Sequence, residues 1–230
     1  MSAAPPKVPG KFDLTTPEGR KAAEKDYMWF GDHAILRKLV KNRHWVEPGR
    51  LMRGNQPSPA QLAELKAQGV KTIINLRGGD GSFALLEREA CERLGLKLVD
   101  LIVTSREVPS RERVLNAKTM FETIEYPAFM HCKSGADRAG LMSVLYAHFV
   151  LGQPIRQAKQ QLAWKYLHAK IGKTGVLDYM FERYLTDAEP NGISFIDWVK
   201  SDAYDPAAMK ADFRAGWWGT LLTEKILRRE

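Results

Sequence analysis

The sequence predicts an α/β domain, with a central, mostly parallel sheet flanked by helices and helical additions at both ends. Three observations carry this reading. Short β-branched runs alternate with helical periodicities through the middle of the chain. Glycine or proline punctuates most of the junctions between them. With 230 residues, 44% of them apolar and 27% charged, the chain has the length and composition of one large globular domain with appendages.

The elements follow in order. Residues 1–16, containing Pro and Lys, read as a loose tail. Pro17 to Val40 reads as a helix, with Pro17 in its first turn and Tyr27, Phe30 and Leu39 as apolar surface. His44 to Pro57 reads as a hairpin turning at Pro48-Gly49. Ser58 caps a helix from Pro59 to Gln68, which Gly69 ends. Val70 to Leu76 is a strand running into Arg77-Gly78-Gly79. A helix from Phe83 to Leu94, closed by Gly95, leads to a strand from Leu96 to Val103. Ser110 opens a helix reaching Glu125, and Ala128 to Met130 begins another strand. Further helices are expected around Leu141 to Val150, from Pro154 to Leu167, around Leu177 to Leu185 and from Ala207 to Arg228. Residues 1–40 are therefore expected to form an N-terminal tail and helix, 41–187 the main domain, and 188–230 a C-terminal helical extension packed on it.

Composition narrows the function classes. The net charge of +8 and pI near 9.4 favour polyanions, phosphorylated substrates or anionic lipid as partners. No zinc finger, RNP-like string or long basic run points to nucleic acid. Two cysteines, Cys91 and Cys132, make neither a disulfide framework nor a zinc site, and no metal or cofactor is expected. Cys91, in an amphipathic helix, reads as a small core residue. No segment approaches the ~20 apolar residues that span a bilayer. The start, MSAAPPKVPG, lacks the pattern of a secretory signal. The expected location is the cytoplasm, with peripheral contact with an anionic membrane left open.

In a parallel sheet, ligands bind at the carboxyl ends of the strands. Arg77 to Gly79, Thr104 to Glu107 and His131 to Arg138 should lie there together. The last of these carries the chemistry, in the string Phe129-Met-His131-Cys132-Lys133-Ser134-Gly135-Ala136-Asp137-Arg138-Ala139-Gly140. A loop between a strand and a helix can curl so that successive N–H groups point inward and cradle an anion, with the helix dipole behind them. The same field lowers a cysteine pKa from ~8.5 to roughly 3.5–7.5. Gly135 permits the tight curl. Arg138, six residues after Cys132, can fork two N–H groups onto a phosphate.

The H-C-x5-R-x-G pattern resembles the signature of the protein tyrosine phosphatase superfamily, and HCKSGADRAG resembles bacterial members of its dual-specificity branch. RLMRGNQPSPAQLAELKAQGVKTIINLRG is similar to the N-terminal part of that branch's catalytic domain, so the resemblance spans roughly residues 40–185. It implies phosphate monoester hydrolysis through a cysteinyl phosphate, with Cys132 as nucleophile, Arg138 and residues 133–138 on the phosphate, and His131 fixing the loop. The family usually has Ser or Thr after the arginine. Here Ala139 stands there and removes a hydroxyl from the neighbourhood of the sulfur. A weakly active phosphate-binding module of the same fold is the competing reading.

Three carboxylates are candidates for proton donor. Asp137 ranks first, because G-x-D-R is similar to myotubularins and to bacterial phosphatases that accept phosphoinositides. Glu107 and Asp100 follow; Asp100 lies 32 residues before Cys132, as the family's acid usually does. Arg77 reads equally well as facing the phosphate loop or as solvated. Lys165, His168, Lys170 and Lys173 form a basic stretch, suited to a second phosphate or to solvent; Arg37, Arg43 and Arg53 are candidate extensions of it. His148 reads as a core residue. In the C-terminal segment, Phe213, Trp217 and Leu221 recur every four residues among Lys and Arg. That suits a helix docked on the domain or one lying on anionic lipid. Substrates compatible with all this are phosphotyrosine or phosphoserine proteins, phosphoinositides, and lipid A or phospholipid phosphates.

Overall fold

The computed structural model describes residues 12–27 and 42–215. Its centre is a five-stranded sheet: β1 (His44–Glu47), β2 (Leu51–Asn55), β3 (Thr72–Asn75), β4 (Lys97–Asp100) and β5 (Ala128–Cys132), in the order β1-β2-β5-β3-β4. β1 is antiparallel to β2; every other pairing is parallel. β5 lies in the middle, with Asn55 opposite Cys132 on one side and Asn75 opposite His131 on the other.

All five residues of β5 are buried, and strand alternation sorts them onto two cores. Met130 and Cys132 face one core with Leu51 and Ile74; Phe129 faces the other with Met52 and Ile73. The second core is covered by α2 (Pro59–Ala67) and α3 (Ser82–Leu94), through Leu62, Leu65, Ala90 and Cys91. The first is covered by α4 (Arg111–Thr123), α5 (Asp137–Phe149), α7 (Val176–Asp187) and α8 (Phe195–Lys200). α5 is buried from Ala139 to Ala147, and each large apolar side chain there contributes roughly 1.5–3 kcal/mol. α1 (Pro17–Lys25) is tied to α3 by Arg20, which donates to both oxygens of Glu89 at 3.1 and 3.2 Å.

Local signals place most boundaries. Ser58 and Gln61 form the capping box of α2, with Pro59 in its first turn. Gly95, at φ +61°, ends α3 in the left-handed conformation.

Two expectations need correction. The strand expected over Leu96 to Val103 is only Lys97–Asp100. The helix expected from Pro154 to Leu167 is one turn, α6 (Ile155–Ala158), followed by two short 3-10 turns. Leu162 at ψ 82° and Leu167 at φ 63° break it. Residues 28–40 of the expected N-terminal helix, Arg37 among them, and 216–228 of the expected last helix lie outside the described residues; 206–215 are helical.

Candidate active site

The loop from Cys132 to Asp137 joins the central strand to the buried helix α5. Its carbonyl oxygens are held from outside. Lys133 O accepts from the Gln56 N–H (3.4 Å), Ser134 O from Asn42 Nδ2 (3.0 Å), and Gly135 O and Ala136 O both from Arg53 Nη2 (2.9 Å each). A trans peptide carries its C=O and the following N–H in opposite directions. Four anchored carbonyls therefore turn the N–H groups of residues 134–137 to the inner side of the loop. The Ala136 N–H reaches Ser134 Oγ at 3.4 Å. α5 has no side-chain cap at its N-terminus, so its first N–H groups add to the same positive field.

Gly135, at φ +75°, lies against the end of β2: a Cβ there would meet Gly54 C at 2.6 Å and Asn55 N at 2.7 Å. Both neighbours are backbone, so only glycine fits.

Arg53 is the brace under the loop. Its side chain is fully buried, and Nη1 donates to Gln161 O (2.7 Å) and Gln161 Oε1 (3.3 Å). The guanidinium lies 4.3 Å from the Tyr166 ring centre. Burial lowers its pKa to about 10, opposed by the fields of Cys132, Tyr166 and Asp137. It is thus a cation at neutral pH beneath the loop, not the surface residue the sequence suggested.

His131 was expected to hold the loop. Alternation along β5 sends its ring to the opposite face from Cys132, where Nε2 lies 2.7 Å from Glu87 Oε1, both side chains being buried. The approach is off the N–H axis, so this is an electrostatic contact rather than an aligned hydrogen bond. Glu87 also accepts from Gln56 Nε2 at 3.0 Å. Gln56 thereby links His131's partner to the loop it also binds through its own N–H.

Cys132 is buried, Lys133 and Ser134 are exposed, and Arg138 is half-buried in the first turn of α5. Arg138 makes no hydrogen bond or ion pair with the described residues. Ala139 is fully buried. The Ser143 hydroxyl, one turn further along α5, donates to Ala139 O at 2.6 Å.

Asp137 is held by a side chain that sequence reasoning assigned to a basic patch. His168, fully buried, has Nδ1 2.7 Å from Asp137 Oδ1 and Nε2 2.7 Å from Asp178 Oδ2. Carboxylates on both ring nitrogens require either an imidazolium or a proton on one of the carboxyls. Burial alone would lower the His168 pKa; the two hydrogen-bonded carboxylates outweigh it and raise the value to about 9.

The other candidates have contacts of their own. Asp100 accepts from Asn75 Nδ2 (2.8 Å), and Asn75 Oδ1 in turn accepts from the Arg77 and Gly78 N–H groups. Asp100 thus supports a turn. Glu107 is exposed and takes Lys210 as its partner. The Arg77 guanidinium lies 3.5 Å from the Phe83 ring centre. In the expected basic stretch, Lys165 covers Tyr166 and Lys170 lies 3.7 Å from Asp178, so only Lys173 points elsewhere. Arg43 covers the Phe129 ring. Cys91 is buried beside Glu87 and Asp100, which pushes its thiol up to about 12. His148, half-buried, bonds Gln153 O at 2.8 Å.

Solved structures share the fold. TpbA of P. aeruginosa superposes with a TM-score of 0.52 at 21% identity, over 67% of this chain and 89% of that one. A cysteine-to-serine TpbA in complex with phosphotyrosine gives 0.51 at 21%, over 66% and 86%. A DUF442 protein of Shewanella putrefaciens gives 0.50 at 17%, over 68% and 95%. No curated protein matches the chain. Residues 41–175, from just before β1 to the turn preceding α7, match the family model described as DSP-PTPase phosphatase fused to NAD+ kinase. With more than half its length in that match, on a sheet and loop built as above, the chain belongs to this dual-specificity-like phosphatase family.

Proposed function

We propose that the chain hydrolyses phosphate monoesters through a cysteinyl phosphate on Cys132. The observation that carries this is the loop whose four carbonyls are tied back, which turns the N–H groups of residues 134–137 to its inner side, between Cys132 and Arg138 in the chain. The thiolate attacks phosphorus and forms the S–P bond as the P–O bond to the leaving group breaks. Arg138 and the loop N–H groups hold the three equatorial oxygens. The proton shared between the His168 imidazolium and Asp137 passes through Asp137 to the departing oxygen, which leaves His168 neutral. In the second step water attacks phosphorus, its proton passes to the Asp137 carboxylate, the S–P bond breaks, and the thiolate returns. His168 positions Asp137 by holding one of its oxygens.

The net charge of +8 and a carboxylate inside the loop favour substrates rich in phosphate, such as phosphoinositides or other phosphorylated lipids, over phosphotyrosine or phosphoserine proteins. Ala139 supports the second reading, a phosphate-binding module with little turnover. Hydrolysis of p-nitrophenyl phosphate separates the two. The wild type is expected to release p-nitrophenol and, on acid quenching, to carry phosphate on Cys132. Cys132→Ser should lower the rate by at least about 10⁴. Wild type as slow as that variant, with phosphate binding intact in both, is the outcome that sinks the enzyme reading.

The His168 cluster also has a signature in stability. A pKa raised from 6.5 to about 9 on folding contributes stability that is complete below pH 6.5 and is lost as pH rises through 9. The size is ~3 kcal/mol. Urea unfolding at pH 6 and pH 9.5 should show this loss in wild type and not in His168→Gln; parallel pH dependences in the two proteins would contradict it.

A further inference from the structure

A cavity of about 480 Å³ is formed by three separate parts of the chain. The loop after β4 contributes Arg106 and Glu107, the turn before α7 and the first residue of α7 contribute Lys173 and Val176, and the helical residues 206–215 contribute Lys210, Phe213 and Arg214. Four cations therefore surround one carboxylate. Lys210 donates to Glu107, and its charge, with that of Arg214, holds the Glu107 carboxyl below the usual carboxylate range. Arg106, Lys173 and Arg214 have no ion pair among the described residues. Gathering like charges in a concave site raises their mutual repulsion, and an anion placed there removes it. The wall also has an apolar side: Phe213 packs on Tyr179 with ring centres 5.8 Å apart, and Val176 is buried.

The position of the cavity relates it to the loop. β3, β4 and β5 run parallel, so the loop after β4 emerges from the same edge of the sheet as Cys132. Asp178, two residues into α7 from Val176, holds His168, and His168 holds Asp137 of the loop.

We propose that this cavity is a second anion subsite, which takes the second phosphate of a substrate bearing two phosphate groups while the first occupies the Cys132 loop. The inference rests on the phosphatase reading above. Arg106 and Arg214 supply two planar forks suited to phosphate oxygens, Lys173 a third cation, and Phe213 with Val176 a surface for the apolar part of the molecule. Both phosphates belong to one molecule, so binding of one raises the effective concentration of the other.

A molecular ruler tests this. α,ω-Alkanediol bisphosphates of increasing chain length, and the matching monophosphates, compete with p-nitrophenyl phosphate for the full-length protein. At the matching length the bisphosphate is expected to inhibit about tenfold or more better than its monophosphate. The double variant Arg106→Ala/Arg214→Ala, both sites exposed, should lose that advantage and keep kcat/KM for p-nitrophenyl phosphate within about twofold. No advantage at any length, or an advantage retained in the variant, overturns the proposal. Non-competitive effects of inorganic phosphate that vanish in the variant also overturn it, since they would assign the cavity to a free anion. If wild type fails to hydrolyse p-nitrophenyl phosphate, the catalytic reading fails separately; the same ruler, read by titration calorimetry, still decides the subsite.

Discussion

Arg138→Lys is expected to lower kcat/KM for an aryl phosphate by about 10²–10³ while leaving thermal stability unchanged. The two halves of that expectation have different sources. The guanidinium is half-buried and makes no hydrogen bond or ion pair with the described residues. Removing its fork therefore breaks nothing in the folded protein. Lysine keeps the charge but presents a single flexible point, which cannot grip two equatorial oxygens at once. Steady-state kinetics and a melting curve on one preparation check both halves. A rate within tenfold of wild type would show that the loop N–H groups alone suffice, and Arg138 would lose its assigned role.

Arg53→Met is the converse case, expected to cost both stability and activity. Arg53 donates to Gly135 O, Ala136 O, Gln161 O and Gln161 Oε1. Hydrogen bonds to charged groups contribute about 1.5–3 kcal/mol each. The relief of burying a neutral chain instead of a cation offsets part of the loss, so the expected net is roughly 3–5 kcal/mol. Activity at temperatures where the variant is folded should fall about 100-fold or more, because two loop carbonyls lose the donor that turns them outward. Urea unfolding with single-turnover kinetics tests this. A variant less stable but fully active would mean that the loop holds its shape without the brace.

The legibility of the site in the sequence follows from what is local. The Cys132 to Arg138 loop is one contiguous string between a strand and a helix, and its geometry is set by Gly135 and the helix start. Both can be read without knowing the fold. The braces cannot. Arg53 reaches the loop across 82 and 83 residues and Asn42 across 92; His168 reaches Asp137 across 31. No spacing rule connects such pairs. Buried arginine and histidine also look the same in a sequence as exposed ones, which is why Arg53 and His168 read as surface charge. His131 was legible as a residue but not in its direction, which the two-residue period of β5 sets. The mistaken helix up to Leu167 is of another kind. Ile155, Ala158, Leu162 and Tyr166 are all buried, so helix-like spacing marked their burial. The chain instead breaks at Leu162 and Leu167, and it delivers Gln161 O to Arg53 and the His168 ring to Asp137. Tertiary demands overrode local preference there.

The carbonyl anchoring of the loop has a consequence for how this protein could change. Its outer supports act on main-chain oxygens, which every amino acid carries. Exchanging the side chains of Lys133 and Ser134 leaves these main-chain supports in place, at the cost for Ser134 of its Oγ contact with the Ala136 N–H, whereas Gly135 cannot be exchanged. The side chains of the loop can thus vary over a main chain whose supports do not depend on them. Random libraries at positions 133 and 134 offer a route to new substrate preferences at little risk to the fold.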